Sequence, residues 1–191
     1  MEDRIFQVME HQQYADQINT TTSTPGLLAE SLKSDFPEID KAATITWVND
    51  YDVSLDAKNV NAKGIDVGAD FFEILNYPIV QGDAASVLMD KSSIVVSEEL
   101  AAKFFEPGEN VLGKQLTLQN EMLVQISGVF KKVHNSSLQF DFVLSYEAFK
   151  DKNDWLKSWG SNGPSTLLKL HSGSSANDLT EKIKEYVKHE S

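Results

Sequence analysis

Apolar and polar positions along this chain change period repeatedly, and each change of period marks an element. Ile5, Phe6, Val8 and Met9, mixed with polar neighbours over residues 4–12, fit a strand that enters a domain at its edge. The Thr/Ser-rich residues 19–23 read as a loop. Thr24 then stands where an N-cap belongs, with Pro25 at the first helical position. Leu28, Leu32 and Phe36 continue that helix as a stripe at four-residue spacing, and Pro37 ends it. Residues 43–49 are rich in β-branched and aromatic side chains, and residues 53–55 and 58–67 are further short strands.

Asp70-Phe71-Phe72 opens a short helical turn anchored by its aromatic pair, and Asn76-Tyr77-Pro78 breaks it. Gly82-Asp83 supplies a turn, and residues 93–96 are strand-like. Ser97 is placed as an N-cap, with Glu98 and Glu99 in the positive first turn of the helix it starts. In that helix Leu100 pairs with Phe104 and Ala101 with Phe105, and Glu106-Pro107-Gly108 stops it. Residues 114–118 and 121–133 read as two strands joined at Gln119-Asn120, with Met122, Val124 and Ile126 on one face and Gly128 at a bulge or a close backbone approach. A strand over 138–145, helical character over 146–157 and a strand over 165–171 follow. The last helix has Ser175 as N-cap, Asp178 in its first turn, a stripe of Leu179, Ile183 and Val187, and Lys184 and Lys188 near its negative end. Strands and helices alternate irregularly, which predicts an α+β fold and not a doubly wound parallel sheet.

Composition narrows the function more by exclusion than by suggestion. The 191 residues suffice for one domain with a real core or for two small lobes. A net charge of −12, from 17 basic and 29 acidic residues with no basic stripe, argues against a nucleic-acid partner. It also argues against docking on an anionic membrane surface through side chains. The absence of Cys removes disulfides, zinc–thiolate sites and thiol nucleophiles together. No basic start followed by an apolar stretch marks a secretion signal, and no 18-residue apolar run marks a membrane span.

Reactive chemistry finds no constellation. His11, His134, His171 and His189 are scattered, and none stands in a zinc-hydrolase spacing. Asp50, Asp52 and Asp56 approach a calcium loop but lack its central Gly and closing Glu, so a solvated hairpin end is expected there. G-x-S-x-G, the phosphate-binding loop and G-x-G-x-x-G are all missing, and none of the carboxylates is singled out as an acid pair. No catalytic, cofactor-binding or metal-binding residue is therefore assigned, and no cofactor is expected. Trp155 and Trp159, at i and i+4, are expected to share a helix face as a candidate binding or interface pair, stacking a sugar, lining a groove or burying a helix–sheet interface.

In order and spacing, one set of segments resembles a known family over nearly the whole chain. They are the Thr-Pro-initiated helix leading to Asp35-Phe36-Pro37-Glu38-Ile39, Val67-x-x-Asp70-Phe71-Phe72, and Pro78-Ile79-Val80-Gln81-Gly82-Asp83. Val95-Val96-Ser97-Glu98-x-x-Ala101-x-x-Phe104-Phe105, Leu112-Gly113-Lys114, Ile126-Ser127-Gly128-Val129-Phe130, Asn135-Ser136-Ser137-Leu138-Gln139-Phe140-Asp141 and residues 159–170 complete it. The pattern is similar to the MacB-like periplasmic core domain of ABC-transporter permeases, within the FtsX-like permease superfamily, in its short Bacteroidetes-type version. The resemblance implies a porter-like mixed lobe built from both chain ends, residues 1–67 and 134–191, with a smaller α+β lobe inserted over 68–133. It further implies a non-catalytic, periplasmic domain lying between the first and second membrane helices, with Met1 just after the first. A separate cytoplasmic ATPase subunit and a second permease copy or paralogue, forming a dimer, are the implied partners. ATP-driven shape change would then reach this domain by mechanotransmission and serve export or release of an envelope substrate. The alternative is an independent glycan- or peptide-binding module using the Trp155/Trp159 face.

Overall fold

The computed structural model describes residues 4–14, 17–133 and 136–190. Met1, His134 and Asn135 lie outside them. The chain forms two compact units, one from residues 1–46 with 150–191 and one from residues 47–149.

The first part of the chain supplies β1 (Ile5–Gln7), β2 (Glu10–Tyr14), β3 (Gln17–Thr21), α1 (Leu28–Asp35) and β4 (Ile39–Ile45). Of residues 19–23, expected as loop, the first three belong to β3, because β2 and β3 pair antiparallel with His11 opposite Thr20. The Thr-rich run is β-branched, so pairing with a partner strand satisfies its backbone as well as a loop would. Helix α1 also departs from expectation at its start. Its cap position is Leu27, with no side-chain cap, and Thr24 serves elsewhere. The Thr24 hydroxyl is buried, pairs with Thr166 Oγ1 at 2.8 Å and reaches the Pro164 carbonyl at 3.2 Å. A hydroxyl drawn to partners 140 or more residues away, three residues before the cap position, is spent on a tertiary tie and not on the helix N-terminus. The helix ends before Pro37 as expected, its three apolar positions Leu28, Ala29 and Leu32 all buried.

The middle of the chain supplies β5 (Asn49–Leu55), β6 (Lys58–Val67), α2 (Phe71–Ile74), β7 (Ile79–Gln81), β8 (Ser93–Ser97), α3 (Glu98–Phe104), β9 (Gln115–Leu118), β10 (Met122–Phe130) and β11 (Phe142–Ser145). Six of these strands close on themselves. Strand β5 pairs with β6, β6 with β11, β11 with β8, β8 with β10, β10 with β9, and β9 back with β5. Closure removes the open sheet edges that would otherwise invite mispairing. Val53, Ile94, Val96, Leu116, Leu118 and Phe142 belong to the one apolar cluster of this barrel, as expected for a small barrel filled by its own side chains. The compact central unit is wider than residues 68–133 because β5, β6 and β11 belong to this ring.

Local signals in the barrel behave as the sequence predicts. Ser97 Oγ accepts from the Leu100 N–H at 3.1 Å and starts α3. Gln119 and Asn120 both take positive φ, 53° and 58°, in the β9–β10 turn. Gly128 is both a bulge and a close approach: the β10–β8 register slips between Ile126 and Gly128, and a Cβ there would stand 2.7 Å from Val87 Cγ1. Phe71 and Phe72 anchor α2 within a cluster of rings that includes Tyr77, Phe130 and Phe140.

Tyr51 on β5 meets Phe142 edge-on at 5.3 Å. Burial and the nearby Asp66 carboxylate push its phenol from 10.0 up to about 12, against a hydrogen bond with Asn49 that pulls it down. A raised folded-state value means that the stabilising contribution is complete below the ordinary phenol range and is lost as pH rises through the folded value. Stability is therefore expected to fall by about 1–2 kcal/mol, after allowance for solvent screening of a half-buried ring, on going from pH 10 towards 12. Denaturant titrations across that range should show a shallower alkaline loss in Tyr51→Phe, and equal slopes in the two proteins would refute it.

The end of the chain supplies α4 (Tyr146–Lys152), a 3₁₀ turn (Asp154–Lys157), β12 (Ser165–Leu170) and α5 (Ala176–Glu190). In the unit built from both ends, β12 lies between β1 and β4, antiparallel to each. Leu28, Leu32, Ile39, Leu168, Leu170 and Leu179 belong to its apolar cluster. These α and β elements, mixed and irregular in order, make the α+β class that the sequence predicts.

Candidate functional site

The two candidate tryptophans do not share a helix face. The helix expected over 146–157 breaks at Asn153, so Trp155 falls in the 3₁₀ turn and Trp159 beyond its end at Ser158. Trp155, 39% exposed, lies with its ring against Gly163, where an added Cβ would stand 2.6 Å from Trp155 Cη2. Trp159 instead meets Tyr186 of α5 edge-on at 6.0 Å, half-buried against the apolar cluster of its unit. Their five-residue segment is too short, and too interrupted, to keep helical register across both rings.

A cleft of about 540 Å³ lies within the unit built from the chain ends. Leu28, Leu168 and Leu170 carry its buried floor. Phe6 and Met9 form one wall, Met9 being 57% exposed. The opposite wall is one stripe of α5, including Thr180, Ile183, Lys184 and Val187. Polar groups near the mouth are already engaged. His11 Nδ1 lies 2.9 Å from Thr20 Oγ1, Asn162 Nδ2 donates to Glu10 Oε2 at 2.5 Å, and Lys184 pairs with Glu181 at 2.7 Å.

Helix α5 is held from a different side. Ser175 Oγ accepts from the Asp178 N–H at 3.2 Å and caps it, as the sequence predicts. Leu179 is its single fully buried residue among the described ones. Tyr186 packs edge-on to Phe36 at 5.3 Å as well as to Trp159, and its hydroxyl donates to Asp35 Oδ2 at 2.6 Å. Lys182 pairs with Glu38. The hydrogen bond from that ammonium, with one from the backbone of Glu38 itself, holds the Glu38 carboxyl below its usual range.

A second, smaller hollow of about 300 Å³ lies beside α3 in the central unit, with Glu98, Glu106 and Glu109 around it. The Gln81 amide braces it, donating to the Glu109 carbonyl at 2.8 Å and accepting from the Val111 N–H at 3.0 Å. Glu109 pairs with Lys114, whose ammonium also lies 4.9 Å from the Phe105 ring centre. These contacts fix the loop after α3. Asp50 and Asp52 lie on β5 and Asp56 in the β5–β6 turn at φ 51°, all exposed. Among the described residues no three His, Asp or Glu converge as metal ligands, and no helix is long and apolar enough to cross a membrane.

Of the residues that shape the cleft and the α5 contacts, Phe6 and Met9 are expected only as part of an edge strand, and Tyr186 is not singled out by the sequence. Tyr186 had a usable signal, since it follows Ile183 by three and Leu179 by seven and so borders the same stripe. Its partners on α1 and near Trp159 have no local signature.

This arrangement of elements is shared by solved structures of transporter domains. A domain of a putative permease protein from Porphyromonas gingivalis is similar with a TM-score of 0.81 and 26% identity, covering 100% of this chain and 82% of that one. The periplasmic region of MacB from Actinobacillus actinomycetemcomitans is similar in fold, with a TM-score of 0.70 and 16% identity over 98% of this chain and 84% of that one. So is the extracellular domain of the noncanonic ABC-type transporter YknZ from Gram-positive bacteria, with a TM-score of 0.61 and 14% identity over 93% and 87%. The fold class is thus that of extracytoplasmic α+β domains of ABC-transporter permeases. The sequence profile of the MacB-like periplasmic core domain matches residues 1–186, and the chain belongs to that family. No functionally curated protein matches it. It is accordingly a periplasmic domain of a MacB-like ABC-transporter permease.

Proposed function

We propose that the domain is non-catalytic and transmits ATP-driven conformational change from the cytoplasmic side of the membrane to the periplasm, where it serves export or release of an envelope substrate. One observation carries this reading: the residues of the family-like segments serve as scaffold. Ser97 caps a helix, Gly82 and Gly113 take positive φ at turns, Gly128 admits Val87, and Phe71, Phe72 and Phe130 pack together. A scaffold divided into two compact units, each with an apolar cluster of its own, suits a part whose work is motion. In this reading the domain is flanked by the permease's own membrane helices, a separate ATPase subunit supplies the energy, and a second copy or paralogue completes a dimer.

These 191 residues hold no cysteine, so introduced thiols are the only ones within the domain. Spin labels at Ser34→Cys in one unit and Lys58→Cys in the other, both exposed positions, would be measured in the assembled permease with its ATPase. The label–label distance distribution is expected to differ between nucleotide-free and ATP-trapped states, and not to differ with a hydrolysis-dead, nucleotide-blind ATPase. Identical distributions in all states would overturn transmission through this domain.

A further inference from the structure

We infer that α5 is a latched lever: its Tyr186 side holds it on α1 and Trp159, while the neighbouring stripe faces an unfilled cleft into which the helix can roll. The proposal rests on the transmission reading for its purpose, but its geometry stands alone. At about 100° of rotation per residue, Lys182 and Tyr186 project from the helix roughly a quarter-turn or more away from Thr180, Lys184 and Val187. The first pair makes the holding contacts, with Glu38 for Lys182 and with Asp35, Phe36 and Trp159 for Tyr186. The second set borders about 540 Å³ of space whose far wall is Phe6 and Met9, both exposed.

The helix is suited to move. It spans fifteen residues yet buries only Leu179 fully among those described, whereas the eight-residue α1 buries three. Segments with few buried apolar contacts occupy the low-stability end of a structure and open first. Rolling α5 towards β1 would bring Val187 and Ile183, now half-buried on the unit's apolar cluster, closer to Phe6 and Met9 and cover the apolar surface that this wall exposes to water. Lys184 can keep its ammonium in solvent at the rim while its stem lies on the apolar wall. The latch opposes this roll through one aromatic hub, one hydrogen bond and one exposed ion pair, beside the burial of Leu179 and the partial packing of Ala176, Ile183 and Val187 on the unit's apolar cluster. Two packings that share the Leu179 anchor and differ at the Tyr186 contacts form the kind of bistable element that a force or a ligand can bias.

The test uses this chain, with cysteines placed at Met9→Cys and Thr180→Cys across the cleft. Under mild oxidation the pair is expected to cross-link, and at least about tenfold faster when Tyr186→Ala is added. Amide exchange in α5 should rise by a similar factor in Tyr186→Ala while β4 and β12 keep their protection. Tyr186→Phe, which removes only the bond to Asp35, is a milder second variant and should give a smaller rise in both readouts. No cross-link in any background, or α5 exchange unmoved by both variants, would overturn the latch. In the assembled permease, cross-linked domain that leaves ATP-driven transport at its full rate would count against the transmission reading, with the latch itself intact.

Discussion

Phe142→Ala is expected to cost about 3–5 kcal/mol of stability, the range for deleting a buried aromatic ring. Phe142 is fully buried in the barrel cluster. Its strand is held on both sides, Phe142 standing opposite Gly64 of β6 and Val96 of β8. A barrel closed through six pairings cannot collapse readily onto the void left by the ring, so the cavity cost adds to the lost burial. The cluster that holds Phe142 is drawn wholly from residues 47–149, so the loss is expected in the transition of the central unit. Trp47 lies in that unit and Trp155 and Trp159 in the other, so urea titrations of single-tryptophan variants would separate them. A Trp47 midpoint within error of the parent's would refute the assignment of Phe142 as the barrel's central support.

Gly64→Ala is expected to be nearly as damaging for the opposite reason. A Cβ at Gly64 would stand 2.3 Å from Phe142 Cε2 and 2.4 Å from Cζ, far inside contact distance. The ring has little room to withdraw, because Tyr51 stands edge-on to it at 5.3 Å. Overpacking of this kind costs about 1–3 kcal/mol, and sometimes more. The glycine is thus explained by the ring laid over it, a pairing of aromatic and glycine across neighbouring strands. Combining Gly64→Ala with Phe142→Leu should cost less than the sum of the two single changes, by about 0.5–3 kcal/mol for residues in direct contact. Strict additivity, or a Gly64→Ala protein as stable as the parent, would show that the contact does not govern this site.

The sequence was most legible where a signal and its consequence lie within one turn of chain. Ser97 caps α3, Ser175 caps α5, Gln119-Asn120 turns a hairpin and Gly82 takes φ 94°, all from local chemistry. Legibility failed where a distant partner competed for the same group. Thr24 has the credentials of an N-cap, but Thr166 and Pro164 claim its hydroxyl. The Trp155 and Trp159 spacing is helical, yet each ring is drawn to its own partner, Gly163 or Tyr186, and the segment breaks between them. The cleft was not legible at all, since its walls come from residues 6–11 and 176–187, which no local pattern relates.

By itself the sequence determined the α+β class, the caps of α3 and α5, the stop at Pro37, the Gln119-Asn120 hairpin turn and the family, because these follow from short-range sterics and from motif order. The tertiary structure alone decided that β5, β6, β11, β8, β10 and β9 close into a ring, since closure depends on which strands meet, and alternation of apolar residues reads the same in an open sheet or a barrel. It alone also decided which side of α5 is held. The stripe of Leu179, Ile183 and Val187 says that the helix packs, but only the positions of Phe36, Asp35 and Trp159 add Tyr186 as a point of attachment and leave the adjoining face at the border of the cleft.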